Sequence, residues 1–125
     1  MATFTKAKLS GSAADGRGVK ITTTDSSGAG DAGLSDANTI HTAVSGTDAG
    51  TFDEIWLWAT NISASAAVLS IELGDGADLI HVTVPPKEGL MQILPGLVLQ
   101  NSLVVKGYAS AEDVIWVHGF VNKIA

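Results

Sequence analysis

The stretch that most constrains the fold is residues 53–62, DEIWLWATNI. Alternation with a period of two puts Glu54, Trp56, Trp58 and Thr60 on one side of a strand and Ile55, Leu57 and Ala59 on the other. Both sides are largely apolar. The last stretch, residues 113–124, DVIWVHGFVNKI, repeats the arrangement, with Val114, Trp116, His118 and Phe120 opposed to Ile115, Val117 and Val121. An antiparallel strand with one wet face shows polar residues there, so a strand that is apolar on both faces needs a second cover: an arm, loops or another subunit. Trp56, Trp58, Trp116 and Phe120 are accordingly expected in a thick core or at a subunit interface, where aromatic residues concentrate.

The rest of the chain follows the same rhythm. Short apolar runs rich in β-branched and aromatic residues are separated by Gly, Pro, Asn, Asp or Ser. Strands are expected at 18–23, 38–44, 53–62, 66–73, 77–84, 89–94, 102–109 and 113–124, with 96–99 as a short extra. Gly74-Asp75-Gly76 supplies the positive φ of a tight hairpin, so its flanking strands should pair antiparallel. Pro85-Pro86 and Pro95-Gly96 cannot donate ladder hydrogen bonds and mark strand ends or edges. The expected fold class is all-β: an antiparallel β-sandwich, with no convincing helical stripe.

A chain of 125 residues suits one domain. Of the first 51 residues, 32 are Gly, Ala, Ser or Thr, and the composition then shifts to Val, Ile, Leu and Trp. Charge shifts with it. Residues 1–20 carry Lys6, Lys8, Arg17 and Lys20 against Asp15, whereas residues 21–80 hold nine acids and neither Lys nor Arg. This reads as a basic, extended N-terminal arm at 1–17, then one sandwich domain at 18–125 with a glycine-rich loop at about 25–38. A frayed, solvated N-terminus is the plainer alternative.

Several function classes are disfavoured. The absence of cysteine excludes disulfides, thiolate nucleophiles and Cys-based metal sites. No apolar stretch reaches 18 residues and the first twenty hold no apolar h-region, so neither a membrane span nor a secretory signal is expected. A net charge of −6 argues against binding nucleic acid through its phosphates. GAGDAG at 28–33 matches a dinucleotide fingerprint as a string, but no helical stripe follows and Asp31 would meet the phosphate. Glu72, Asp75 and Asp78 lack the spacing of a calcium loop and read as hairpin chemistry. His41, His81 and His118 fall in separate strands and read as hydrogen-bonded sheet histidines; only folding decides whether they converge on a metal. Within each of the pairs Asp53-Glu54 and Glu112-Asp113 the side chains point to opposite strand faces, so they form no acid/base dyad and read as solvated strand ends. Asn61-Ile62-Ser63 is a glycosylation sequon in form only. No serine sits in a nucleophile elbow. No catalytic residue, metal or cofactor is expected, and the chain reads as a non-enzyme.

The run FDEIWLWATNISASAAVLSIEL, followed by VTVPPKEGL, ILPGLVLQNSLVVKGYA and the ending VIWVHGFVNKIA, resembles small virion proteins of tailed bacteriophages, of the capsid decoration or head-stabilising kind. The similarity covers roughly residues 50–125, with the start MATFTKAKLSG as a weaker part. It implies a β-sandwich of jelly-roll topology without catalytic residues. It further implies a homo-trimer on the outer surface of the virion head, clamping neighbouring subunits of the major capsid protein after expansion. Within that reading the capsid-binding arm is Phe4, Lys6, Lys8 and Leu9, pairing charge with acidic lattice loops and adding a strand through its backbone. The alternatives are a tail, neck or fibre component, and a carbohydrate-binding β-sandwich in which Trp56 or Trp58 stacks on sugar rings.

Overall fold

The computed structural model describes residues 2–12, 14–25 and 37–125. Among these the chain forms nine strands: β1 Phe4–Lys8, β2 Val19–Ile21, β3 Asn38–Thr42, β4 Phe52–Asn61, β5 Ala67–Gly74, β6 Leu79–Val84, β7 Met91–Leu99, β8 Val104–Ala109 and β9 Ile115–Ile124. No helix occurs among the described residues. The glycine-rich stretch 26–36, with GAGDAG, lies outside them.

The strands form two antiparallel sheets packed as a β-sandwich. One has the order β1-β9-β4-β7, with β2 also on β9; the other has the order β3-β8-β5-β6. β4 and β9 pair along their whole length, from Phe52↔Ile124 to Asn61↔Ile115. The other side of β9 is shared: β1 takes its C-terminal half from Phe120 to Ile124, and β2 takes Ile115 to Val117. From β2 onward the chain passes to the opposite sheet at every connection except the one joining β5 and β6. That connection is the expected hairpin. Gly74 adopts φ 89°, Leu73 N–H donates to the Asp78 carbonyl at 2.9 Å, and Ala77 N–H donates to Asp75 Oδ1 at 2.9 Å.

The core lies between the sheets. Ile55, Leu57 and Ala59 of β4 and Ile115, Val117 and Val121 of β9 meet Ile40, Leu69, Ile71 and Val105 from the opposite sheet, all buried. Burying each Val, Leu or Ile contributes about 1.5–3 kcal/mol, so this layer dominates stability.

Two expectations are corrected. Residues 4–12 do not extend away from the sandwich: β1 pairs with β9, Thr3 and Ala125 exchange backbone hydrogen bonds, and Gly11 N–H donates to the Ile40 carbonyl at 2.9 Å. The free edge of β9 satisfies this backbone, and the core takes up Leu9, which is only 2% exposed. The strands expected at 89–94 and 96–99 are one strand, β7, running through Pro95 and Gly96. It stands at the sheet edge and absorbs the missing donor through two register shifts against β4.

Candidate functional site

The register of β4 on β9 brings the aromatic residues together. Trp56 lies opposite Phe120, Trp58 opposite His118 and Thr60 opposite Trp116. Cross-strand partners project to the same side, and here that is the side turned away from the core. Trp56, Trp58, Trp116 and Phe120 are partly buried, while Ile55, Leu57, Val117 and Val121 between them are the core residues. The choice between core and interface is thereby narrowed: these aromatics are not in the core. The rings of Trp56, Trp58 and Phe120 form a nearly parallel cluster, with centroids 6.0–6.4 Å apart and interplanar angles of 13–25°.

Cations border the cluster. Lys6 Nζ stands 4.2 Å from the centroid of Phe120, and Lys20 Nζ 5.9 Å from that of Trp116. Lys8 lies opposite Phe120 in register and donates its ammonium to the Ala14 carbonyl. Arg17 and Gly18 line two adjoining open clefts. Gly16, Trp116 and His118 complete one, of about 290 Å³, and Gly11, Val19, Lys20, Asn38, Thr39 and Trp116 the other, of about 400 Å³. A Cβ on Gly18 would lie 2.6 Å from the His118 ring, so glycine there lets the imidazole rest against the backbone. Four of the seven Lys and Arg residues thus surround one aromatic face. The acids close by are Asp15, Asp113, which lies 3.6 Å from Lys20, and Glu54. Glu54 Oε1 accepts from Trp56 Nε1 at 2.7 Å and from Asn122 Nδ2 at 3.0 Å. These donors, Trp56 first, hold its carboxyl below the usual carboxylate range.

Of the residues expected in a capsid-binding arm, Phe4, Lys6 and Lys8 sit on the edge strand β1, with Phe4 69% exposed. Leu9 is corrected: its side chain is in the core and cannot reach a partner.

The three histidines do not converge. His41 is buried between the sheets, His81 bonds Ser70 Oγ at 2.8 Å on the far sheet, and His118 lies on the aromatic face. No group of three or more His, Asp or Glu side chains placed to hold a metal ion occurs among the described residues. Asn61 is buried; its Nδ2 donates to the carbonyls of Ser65 at 2.8 Å and Val84 at 3.0 Å, so the sequon amide is committed to the fold. Among the described residues no helix is long and apolar enough to cross a membrane.

Alternation alone pointed to the aromatic face. It placed His118 there as well, but it did not reveal that Arg17 and Lys20 border the face, because that depends on β2 taking the same edge of β9 as β1. No protein-family model, curated protein or solved structure matches this chain. The arrangement itself is suited to adhesion: flat apolar rings with charge at the margin, a common composition for an interface centre.

Proposed function

We propose that this chain is a structural virion protein of a tailed bacteriophage, a decoration protein that binds the major capsid protein on the outer surface of the expanded head as a homo-trimer and stabilises it. The carrying observation is the outward cluster of Trp56, Trp58 and Phe120 edged by Lys6 and Lys20. An aromatic face on the outside of a sandwich is costly to leave in water, and a partner surface relieves that cost. In this reading the subunits meet through Trp56, Trp58, Trp116 and Phe120. The capsid is engaged by the β1 edge, where Phe4, Lys6 and Lys8 accompany a backbone with one side unpaired among the described residues, suited to strand addition. The order β1/β2-β9-β4-β7 over β3-β8-β5-β6, with the chain alternating between sheets, is why we read the sandwich as a jelly roll.

The test is co-sedimentation of the purified protein with expanded and with unexpanded heads. Saturable binding to expanded heads, weakened in Lys6→Glu/Lys8→Glu, is expected; a protein that stays in the supernatant with both overturns the reading. The outward Trp56 and Trp58 also suit sugar stacking, and quenching of tryptophan fluorescence by neutral oligosaccharides, without head binding, would favour that second reading.

A further inference from the structure

The loops at one end of the sandwich are tied into a single surface. Ser102 N–H donates to the Val44 carbonyl at 2.9 Å, Asn101 N–H to Gly46 at 2.8 Å, and Gln100 Nε2 to the carbonyls of Asp48 and Thr51 at 3.0 Å each. The β5–β6 turn joins them, since a Cβ on Gly74 would touch Leu99 at 3.1 Å and Leu103 at 3.3 Å. This end carries Asp48, Asp75 and Asp78, with Asp48 and Asp78 exposed, and Leu103 40% exposed among them. The nearest cation of the β9 terminus, Lys123, is turned to the buried Asp53 at 3.4 Å. The acidic end and the basic aromatic face are therefore different, non-overlapping surfaces of one molecule.

For a chain of net charge −6, that separation selects how copies can meet. Face against face would set two surfaces bearing Lys6, Lys8, Arg17 and Lys20 together, and the nearby acids Asp15, Asp113 and Glu54 are already engaged with the Arg17 N–H, Lys20 and Trp56 of their own chain. End against end would do the same with Asp48, Asp75 and Asp78. Of the three arrangements, end against face sets an excess of acids against an excess of cations while covering the rings, and like-charge contacts are strongly disfavoured at interfaces. Resting on the homo-oligomer reading, we infer that the acidic end of one copy, with Asp48, Asp78 and Leu103, docks on the aromatic face of the next, at the clefts bordered by Arg17, Lys20, Trp116 and His118. Such a contact is heterologous, so it closes into a ring or extends as a chain, and it is not a two-fold dimer.

The test uses two charge reversals, Arg17→Glu/Lys20→Glu and Asp48→Lys/Asp78→Lys, each first shown to keep the wild-type circular dichroism. Sedimentation velocity at micromolar concentration reads their self-association without any capsid present. The wild type is expected to associate, and each variant alone to associate at least tenfold more weakly. The variant carrying all four reversals should recover association, because its basic end then meets an acidic face at every contact of a ring of any size. A monomeric wild type, an oligomer indifferent to both reversals, or a quadruple variant that keeps the wild-type circular dichroism and stays monomeric each overturns the inference. Head binding of the wild type, scored separately, bears on the capsid reading alone, so the two can fail independently.

Discussion

Asp53 of β4 accepts a 2.7 Å hydrogen bond from Nε2 of His41 on β3, a side-chain link between the two sheets through the buried interior. The other ring nitrogen, Nδ1, accepts from the Ser10 backbone N–H at 3.0 Å, which places the imidazole proton on Nε2 and leaves the ring neutral. The negative charge of Asp53 is balanced by Lys123, 3.4 Å away. Ser10 Oγ in turn accepts from Thr42 N–H at 2.6 Å. One buried carboxylate thus fastens both sheets and, through His41, the segment that follows β1.

Removing it should be costly. Asp53→Ala leaves the buried His41 donor unpaired, and an unsatisfied buried donor typically costs about 1–3 kcal/mol. Asp53→Asn keeps an acceptor for His41 and gives up only the attraction to Lys123, so it should lose less. Urea denaturation checks both, with the midpoint falling in the order wild type, Asp53→Asn, Asp53→Ala. Equal midpoints for Asp53→Ala and wild type would contradict the linking role.

Leu57 and Trp58 are neighbours in sequence and opposite in consequence. Leu57 is fully buried, so Leu57→Ala should destabilise the fold by about 2–5 kcal/mol. Trp58 packs outward on Phe120 with centroids 6.0 Å apart, and Trp58→Ala should cost less stability while weakening self-association. Thermal unfolding and sedimentation velocity on both variants check the split.

The same pair shows how far the sequence could be read. Alternation in β4 and β9 separates two sets of residues, but both are apolar, so local pattern could not say which set met the other sheet; burial gives that place to Ile55 and Leu57. The sequence of β1, Phe-Thr-Lys-Ala-Lys, offers no apolar alternation to mark a strand, and its strand state comes from pairing with residues 120–124, more than a hundred positions away. Strand β7 reads as two pieces in the sequence because Pro95 breaks ladders in a central strand, whereas an edge strand tolerates it. Asp53 reads in the sequence as a solvated strand end but is buried, because its link with His41 depends on two strands in different sheets.

Glu54 should make the aromatic face sensitive to acid. Donors from Trp56 and Asn122 lower its pKa on folding, so its contribution is complete above the ordinary carboxylate value of about 4.5 and is lost as pH falls through the lowered one. Tryptophan emission followed through an acid titration should show a transition below about pH 4.5 that Glu54→Gln, which carries no titrating proton, lacks. A transition of the same size and midpoint in Glu54→Gln would remove Glu54 as its source.

Gly119 of β9 lies against β4 with no room for a side chain. A Cβ there would lie 2.0 Å from the Trp56 carbonyl oxygen and 3.1 Å from the Leu57 side chain, and a backbone oxygen inside a sheet cannot rotate aside. Gly119→Ala must therefore part the two strands in the middle of their ladder, between the Trp56–Phe120 and Trp58–His118 pairs. Overpacking of this kind costs about 1–3 kcal/mol, to which the weakened ladder adds. Amide hydrogen exchange should speed up along residues 55–59 and 117–121 while the β5–β8 pairing stays protected. Uniform loss of protection in both sheets would instead mean that the strain is spread through the whole sandwich.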